Sequence, residues 1–197
     1  MSQNTPNPQG KGLSPILANL DAQRVIADQV PPKHIEQVSA ELFTSLFILE
    51  STFRFQPVVG KPYYLYEQPD QFWLALTPPT RLGESVAGRF IGVCELQSDL
   101  TWTLELADAV ANDEAFMAFL ADKRAAFERD LEAADTMADS LPTFKRNTSF
   151  YGQAFAYGLS HSLGSSMAQS GIRELGYREA QGLIANRRQD TTDSDAS

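Results

Sequence analysis

The residues able to do chemistry are few, and their spacing limits what they can do. His161 stands between Ser160 and Ser162, so a base and two hydroxyls adjoin in sequence. Adjacent residues of a helix point in different directions, however, and this run makes no nucleophile and base pair. It reads instead as a histidine at a helix packing surface. A serine triad would also want a Gly-x-Ser-x-Gly elbow between a strand and a helix, which the chain lacks. Zinc needs three or four Cys, His or carboxylate ligands, and here His34, His161 and Cys94 lie far apart. His34 reads as a solvated or capping residue in the first turn of a helix, and Cys94 as a small buried hydrophobe on a strand. No EF-hand spacing occurs. Gly10-Lys11-Gly12 lacks the other elements of a phosphate loop, and Gly152 to Gly158 has no preceding strand to make a dinucleotide fingerprint. No metal and no cofactor is expected.

A second set of residues could bind rather than react. Tyr63, Tyr64, Tyr66, Trp73 and Trp102 concentrate in one β-rich stretch, with Arg89 and Asp99 nearby. Aromatics fill cores and interfaces alike, and a half-buried sheet must fill its inner face with something large. Tyr63 and Tyr64 are neighbours on one strand and must point to opposite faces, so at least one tyrosine lies away from the main core. The candidate binding residues are Tyr64, Tyr66, Trp73, Arg89, Asp99, Trp102 and His161.

The elements that position these groups follow from periodicity. Ile35, Val38, Leu42, Leu46, Leu49 and Phe53 recur every three or four residues after Pro31-Pro32, which predicts a core helix opened by the prolines. From Val58 to Leu106 the pattern becomes short β-rich runs divided by turn residues. Strands are expected at about 62–67, 71–77, 89–97 and 100–106, forming an antiparallel meander of three to four strands. Leu100, Trp102, Leu104 and Leu106 alternate with Thr101, Thr103 and Glu105, so one face of that strand meets the core. Asn112 caps a second helix with Phe116, Phe119, Leu120, Phe127 and Leu131 as its stripe and Pro142 at its end. A third helix runs from Phe150 to about Gln169, capped by Thr148 or Ser149 and stopped at Gly171. Its many small residues, Gly152, Ala156, Gly158, Ser162, Gly164, Ser165 and Ser166, predict close approach of another backbone, within the chain or across a homodimer. A short helix follows at 177–186.

The fold class is therefore α+β, one helix before the sheet and three after it. Residues 13–186 form a single domain, between a disordered arm at 1–12 and a disordered tail at 187–197. Leu13, Ile16, Leu17 and Leu20 would line one face of a short helix docked on the body.

Composition narrows the function class. The net charge is −9, and much of it is local: between Glu105 and Leu141 ten acids face three bases. Such a helix face is usually solvated, and the absence of a basic stripe argues against nucleic acid. No apolar run approaches the roughly 20 residues that cross a bilayer, and the N-terminal sequence lacks the layout of a signal peptide. A cytoplasmic protein is expected.

Tyr63-Tyr64-Leu65-Tyr66, Phe72 to Pro78, Phe90-Ile91-Gly92, Leu96-Gln97 and Asp99-Leu100-Thr101-Trp102-Thr103 together resemble the family known as domain of unknown function 2452. The likeness covers about residues 32–106. The family pattern has a tryptophan before the glycine that follows the Pro-containing turn, where this chain has Leu82 before Gly83. The resemblance implies a compact sheet with a preceding helix and no catalytic residue. The expected function is non-enzymatic protein interaction or self-association. The alternative is a small-molecule site or an unfamiliar enzyme, with a pocket between the sheet and the glycine-rich helix lined by Tyr64, Tyr66, Asp99 and His161.

Overall fold

In the computed structural model, residues 30–142 and 150–183 are described. The expected arm, the 13–24 helix, the tail and the caps at Thr148 and Ser149 lie outside the described residues. The first helix, α1, spans Ile35–Leu49 and buries Ile35, Val38, Leu42, Ile48 and Leu49. It starts later than the prolines suggest. His34 is extended, and Lys33 is held in the lead-in by side-chain bonds to Glu41 and Asp99, so Pro31 and Pro32 precede the helix instead of opening it. It also ends before Phe53, because Thr52 leaves to pair with Trp73.

The strands are β1 (Pro62–Gln68), β2 (Gln71–Ala75), β3 (Arg89–Leu96) and β4 (Trp102–Leu106), all paired antiparallel in the order β2-β1-β3-β4. The α+β class and the four-stranded antiparallel sheet are as expected. The order differs from a sequential meander at one point: β3 pairs with β1 rather than with β2. The connection over 76–88, which includes the short helix α2 (Glu84–Ala87), therefore crosses the sheet.

Burial explains that crossing. Alternate residues of β1 enter two clusters: Tyr63 and Leu65 the main core with α1, Tyr64 and Tyr66 an outer cluster with Trp73, Ala75, Leu82, Ala87 and Phe90. The crossover supplies Leu82 and Ala87 as the lid of this second cluster. A meander with a bare outer face would leave those rings in water.

Keeping both faces apolar requires a change of parity in β3. Ile91 and Cys94 both reach the main core although they are three positions apart, which strict alternation forbids. The register accordingly shifts between Leu65 and Tyr66, where Leu65 faces Gly92 and Tyr66 faces Phe90. Glycine is required there: a Cβ on Gly92 would lie 2.2 Å from the backbone oxygen of Glu105.

After the sheet come α3 (Asp108–Ala111) and α4 (Glu114–Ala133). Asn112 closes α3, and the cap of α4 is Asp113, whose Oδ1 accepts from Ala115 N at 2.9 Å and Phe116 N at 3.2 Å. That helix stops at Ala133, well before Pro142. The backbone N–H groups of Met137 and Ala138 donate instead to Leu175 O and Arg173 O, which ties this stretch to the segment after α5. α5 spans Phe150–Ser170 and ends at Gly171 (φ 73°). Ile172 N bonds Met167 O and Gly171 N bonds Ala168 O, with buried Met167 and Ile172 completing the cap. Residues 177–183 are helical again.

α5 packs on α1 within the chain. Serines also tie α5 to the chain that leads into α1: Ser166 Oγ donates to Pro31 O at 2.8 Å and Ser170 Oγ to Lys33 O at 2.7 Å. At Gly164, by contrast, an added Cβ would touch, among the described residues, only a Leu141 methyl at 3.4 Å, so no described backbone demands glycine there. No helix among the described residues is long and apolar enough to cross a membrane.

Gly92→Ala is expected to destabilise the protein by about 1–3 kcal/mol through backbone overpacking, whereas Gly164→Ala stays within about 1 kcal/mol of wild type or gains stability through helix propensity. Urea unfolding of the two variants checks the contrast.

Candidate functional site

On the outer face, Tyr66 stacks on Trp73 with ring centroids 5.3 Å apart and meets Phe90 at 5.5 Å, while Tyr64 flanks Phe90 at 6.3 Å. The polar ends of two rings hold the crossover in place. Trp73 Nε1 donates to Ala87 O at 2.8 Å, and Tyr66 Oη donates to Thr77 O at 2.9 Å. Burial, with Tyr64 adding to it, pushes the Tyr66 hydroxyl up from its ordinary range, so it remains a donor at neutral pH. Of the expected binding residues, Tyr64, Tyr66 and Trp73 are thus brought together.

This cluster is the floor of something more open. β2 is an edge strand, and its free side is met first by Thr52: Thr52 N donates to Phe72 O at 2.9 Å and Leu74 N donates to Thr52 O at 3.0 Å. Alternation turns Leu74 O to the same side; β2 ends at Ala75 and the chain bends at Leu76, whose backbone N–H makes no backbone bond among the described residues. The next bonds of this parallel pairing, Arg54 N to Leu74 O and Leu76 N to Arg54 O, are not made. Residues 53–55 instead diverge from β2 across a groove of about 580 Å³, lined also by Trp73, Leu82 and Val86. Leu76 is 62 % and Val86 70 % exposed. Two large apolar side chains therefore stand in water beside strand backbone that no described residue pairs, the combination that recruits a further strand.

The other expected site residues do structural work elsewhere. Trp102 is buried in the main core, edge-on to Tyr63 at 5.8 Å, and its backbone N–H donates to Ser45 Oγ of α1 at 2.9 Å, while its indole Nε1 is buried and bonded to no described group. Arg89 bonds Asp113 Oδ2 at 2.6 Å and sits over the Phe116 ring, joining the start of β3 to the cap of α4. Asp113 is held below the usual carboxylate range, first by the Phe116 N–H and then by Arg89. His161 lies on α5 with Nδ1 shielded from solvent and bonded to no described group. Tyr64 and Tyr66 face away from α1, whereas α5 packs on α1, so the expected pocket joining these tyrosines to His161 is not assembled.

Asp99 belongs to a latch. Its Oδ1 accepts from Thr101 N and Oγ1, shaping the β3–β4 turn in which Leu100 adopts φ 65° with its side chain buried. The other oxygen meets Lys33, which also bonds Glu41 and is only 5 % exposed. Burial alone would lower the Lys33 pKa, but bonds to Asp99 and Glu41 outweigh it and raise it. Burial would likewise raise Asp99, and the bonds from Lys33 and Thr101 hold it below the usual range. Cys94 is buried as well, which pushes its thiol up to about 12 and keeps it from acting as a thiolate nucleophile at neutral pH. Among the described residues no cluster of His, Cys, Asp or Glu is placed to hold a metal ion.

Sequence reasoning missed Arg54, Leu76, Val86 and Lys33. Leu76 carried one signal: it continues the alternation of β2 up to Pro78-Pro79, past the point where pairing ends. Lys33 carried none, because its partner Asp99 is 66 positions away.

Lys33→Met leaves Asp99 and Glu41 without their cation and is expected to cost about 2–3 kcal/mol at pH 7, below the full penalty for a broken buried pair because both carboxylates keep some solvent. A lowered folded pKa means Asp99 contributes stability above its unfolded value, lost as pH falls through the folded one. The wild type should therefore weaken below about pH 4, while the variant, relieved of an unpaired charge, weakens less. Urea midpoints at pH 7 and pH 3.5 check that the gap narrows in acid. Comparison of the chain with protein-family models, with curated proteins and with solved structures finds no match.

Proposed function

We propose that the protein is a protein-interaction domain that docks its partner along the free edge of β2. The observation that carries this reading is the exposure of Leu76 and Val86 beside strand backbone that no described residue pairs. Strand addition takes affinity from main-chain bonds and specificity from side-chain pockets, and this groove offers both. A second copy of the chain could pair with the same edge. The net charge of −9 supports a protein partner over nucleic acid, and a lone cysteine kept as a buried thiol accords with a cytoplasmic setting. The likeness to domain of unknown function 2452 belongs to this proposal too. Tyr63–Tyr66, Phe90–Gly92 and the Asp99–Thr103 turn, which carry it, build β1, the bulge and the latch.

A displayed library of linear peptides, selected on the full chain, tests the reading. Selected peptides are expected to lose at least tenfold in affinity, about 1.4 kcal/mol, against Leu76→Pro, which removes the free N–H, and against Val86→Glu. Both residues are exposed, so thermal melting should stay near wild type. Peptides that bind both variants as well as wild type would place the interaction surface elsewhere.

A further inference from the structure

The lining of the β2 groove also specifies its occupant. Among its lining residues one is charged, Arg54; the others are apolar or are Thr and Gln side chains. Arg54 is exposed and, like Arg81 and Arg129, forms no ion pair among the described residues, but of these three it alone lines the groove. In a chain with 25 acids and 16 bases, an unpaired arginine facing an apolar groove is a local reversal of the overall charge. Its position fits a strand-pairing role. Arg54 follows the single Thr52–Trp73 bridge by two positions, where the chain has left β2, and lines the groove together with Leu74, Ala75 and Leu76.

We infer that the occupant is an acidic, extended peptide segment. Its backbone pairs with Leu74 O and Leu76, its apolar side chains cover Leu76 and Val86, and an Asp, Glu or C-terminal carboxylate meets the Arg54 guanidinium. The inference rests on the β2-edge reading and adds the partner's chemistry to it. A planar guanidinium binds a carboxylate through two parallel bonds, which fixes register along a strand as well as adding affinity. The protein's own negative field disfavours acidic ligands at long range, but at physiological salt it is screened over about 8 Å, so the contact at Arg54 decides.

The experiment uses the full chain and the peptides selected on it. Asp or Glu should recur at a fixed distance from the apolar positions. A fluorescein-labelled Glu peptide should bind wild type about tenfold more tightly than its Gln analogue, as one charge-assisted pair provides. Arg54→Gln should abolish that difference, and Arg54→Glu should reverse it in favour of a Lys analogue. Peptides that need Leu76 but show no acidic preference, or a ranking unchanged in Arg54→Glu, overturn the inference and leave the edge reading standing. Peptides indifferent to Leu76→Pro overturn both. A dimer by light scattering that Leu76→Pro dissolves, with no acidic peptide bound, overturns it in favour of self-pairing.

Discussion

The constraint on which the architecture depends is that β1 carries bulky apolar residues on both of its faces. Tyr63 and Leu65 point one way and Tyr64 and Tyr66 the other. A strand with one apolar face needs one covering layer, and this one needs two. The inner layer is α1, backed by α5, which packs on it and bonds the lead-in chain through serine-to-carbonyl bonds. The outer layer is the crossover, pinned by Trp73 and Tyr66 through bonds to its carbonyls. The central place of β1, with partners on both sides, follows from the same demand, since a doubly covered strand belongs inside the sheet.

The edges of the sheet are then managed unequally. At β4, Ser45 of the core helix takes up the backbone N–H of Trp102, so that edge lies against α1. At β2, among the described residues, only Thr52 pairs, and it bridges a single residue before the chain turns into the core at Phe53. Leaving early opens the groove. The aromatic cluster and the groove are thus linked: Trp73 stacks on Tyr66 with one side and lines the open groove with another. What holds the crossover down also fixes Val86 and Leu82 at the groove wall.

The ionic latch serves a different end of the molecule. Lys33, Asp99 and Glu41 join the chain entering α1 to the β3–β4 turn, where Leu100 is kept in a left-handed conformation that an L side chain adopts only under local compensation. The buried Leu100 side chain and the Asp99 bonds to Thr101 supply that compensation. Nothing in this cluster is free to react, because each charge is spoken for by a neighbour.

By itself the sequence determined the elements and their faces, because those depend on period and on neighbours a few positions away. The four strands, the three long helices and the short one at 177–183, the split between Tyr63 and Tyr64 and the stop at Gly171 were all legible for that reason. Helix ends at Ile35 and Ala133 were not, since the side-chain and backbone bonds made just outside them go to distant residues. Strand order, the parity change at Gly92, the Lys33 latch and the groove beside Arg54 were decided only by the tertiary structure. Each arises between segments tens of residues apart, where the cost of leaving an apolar face or a backbone group exposed depends on what else has already packed against it.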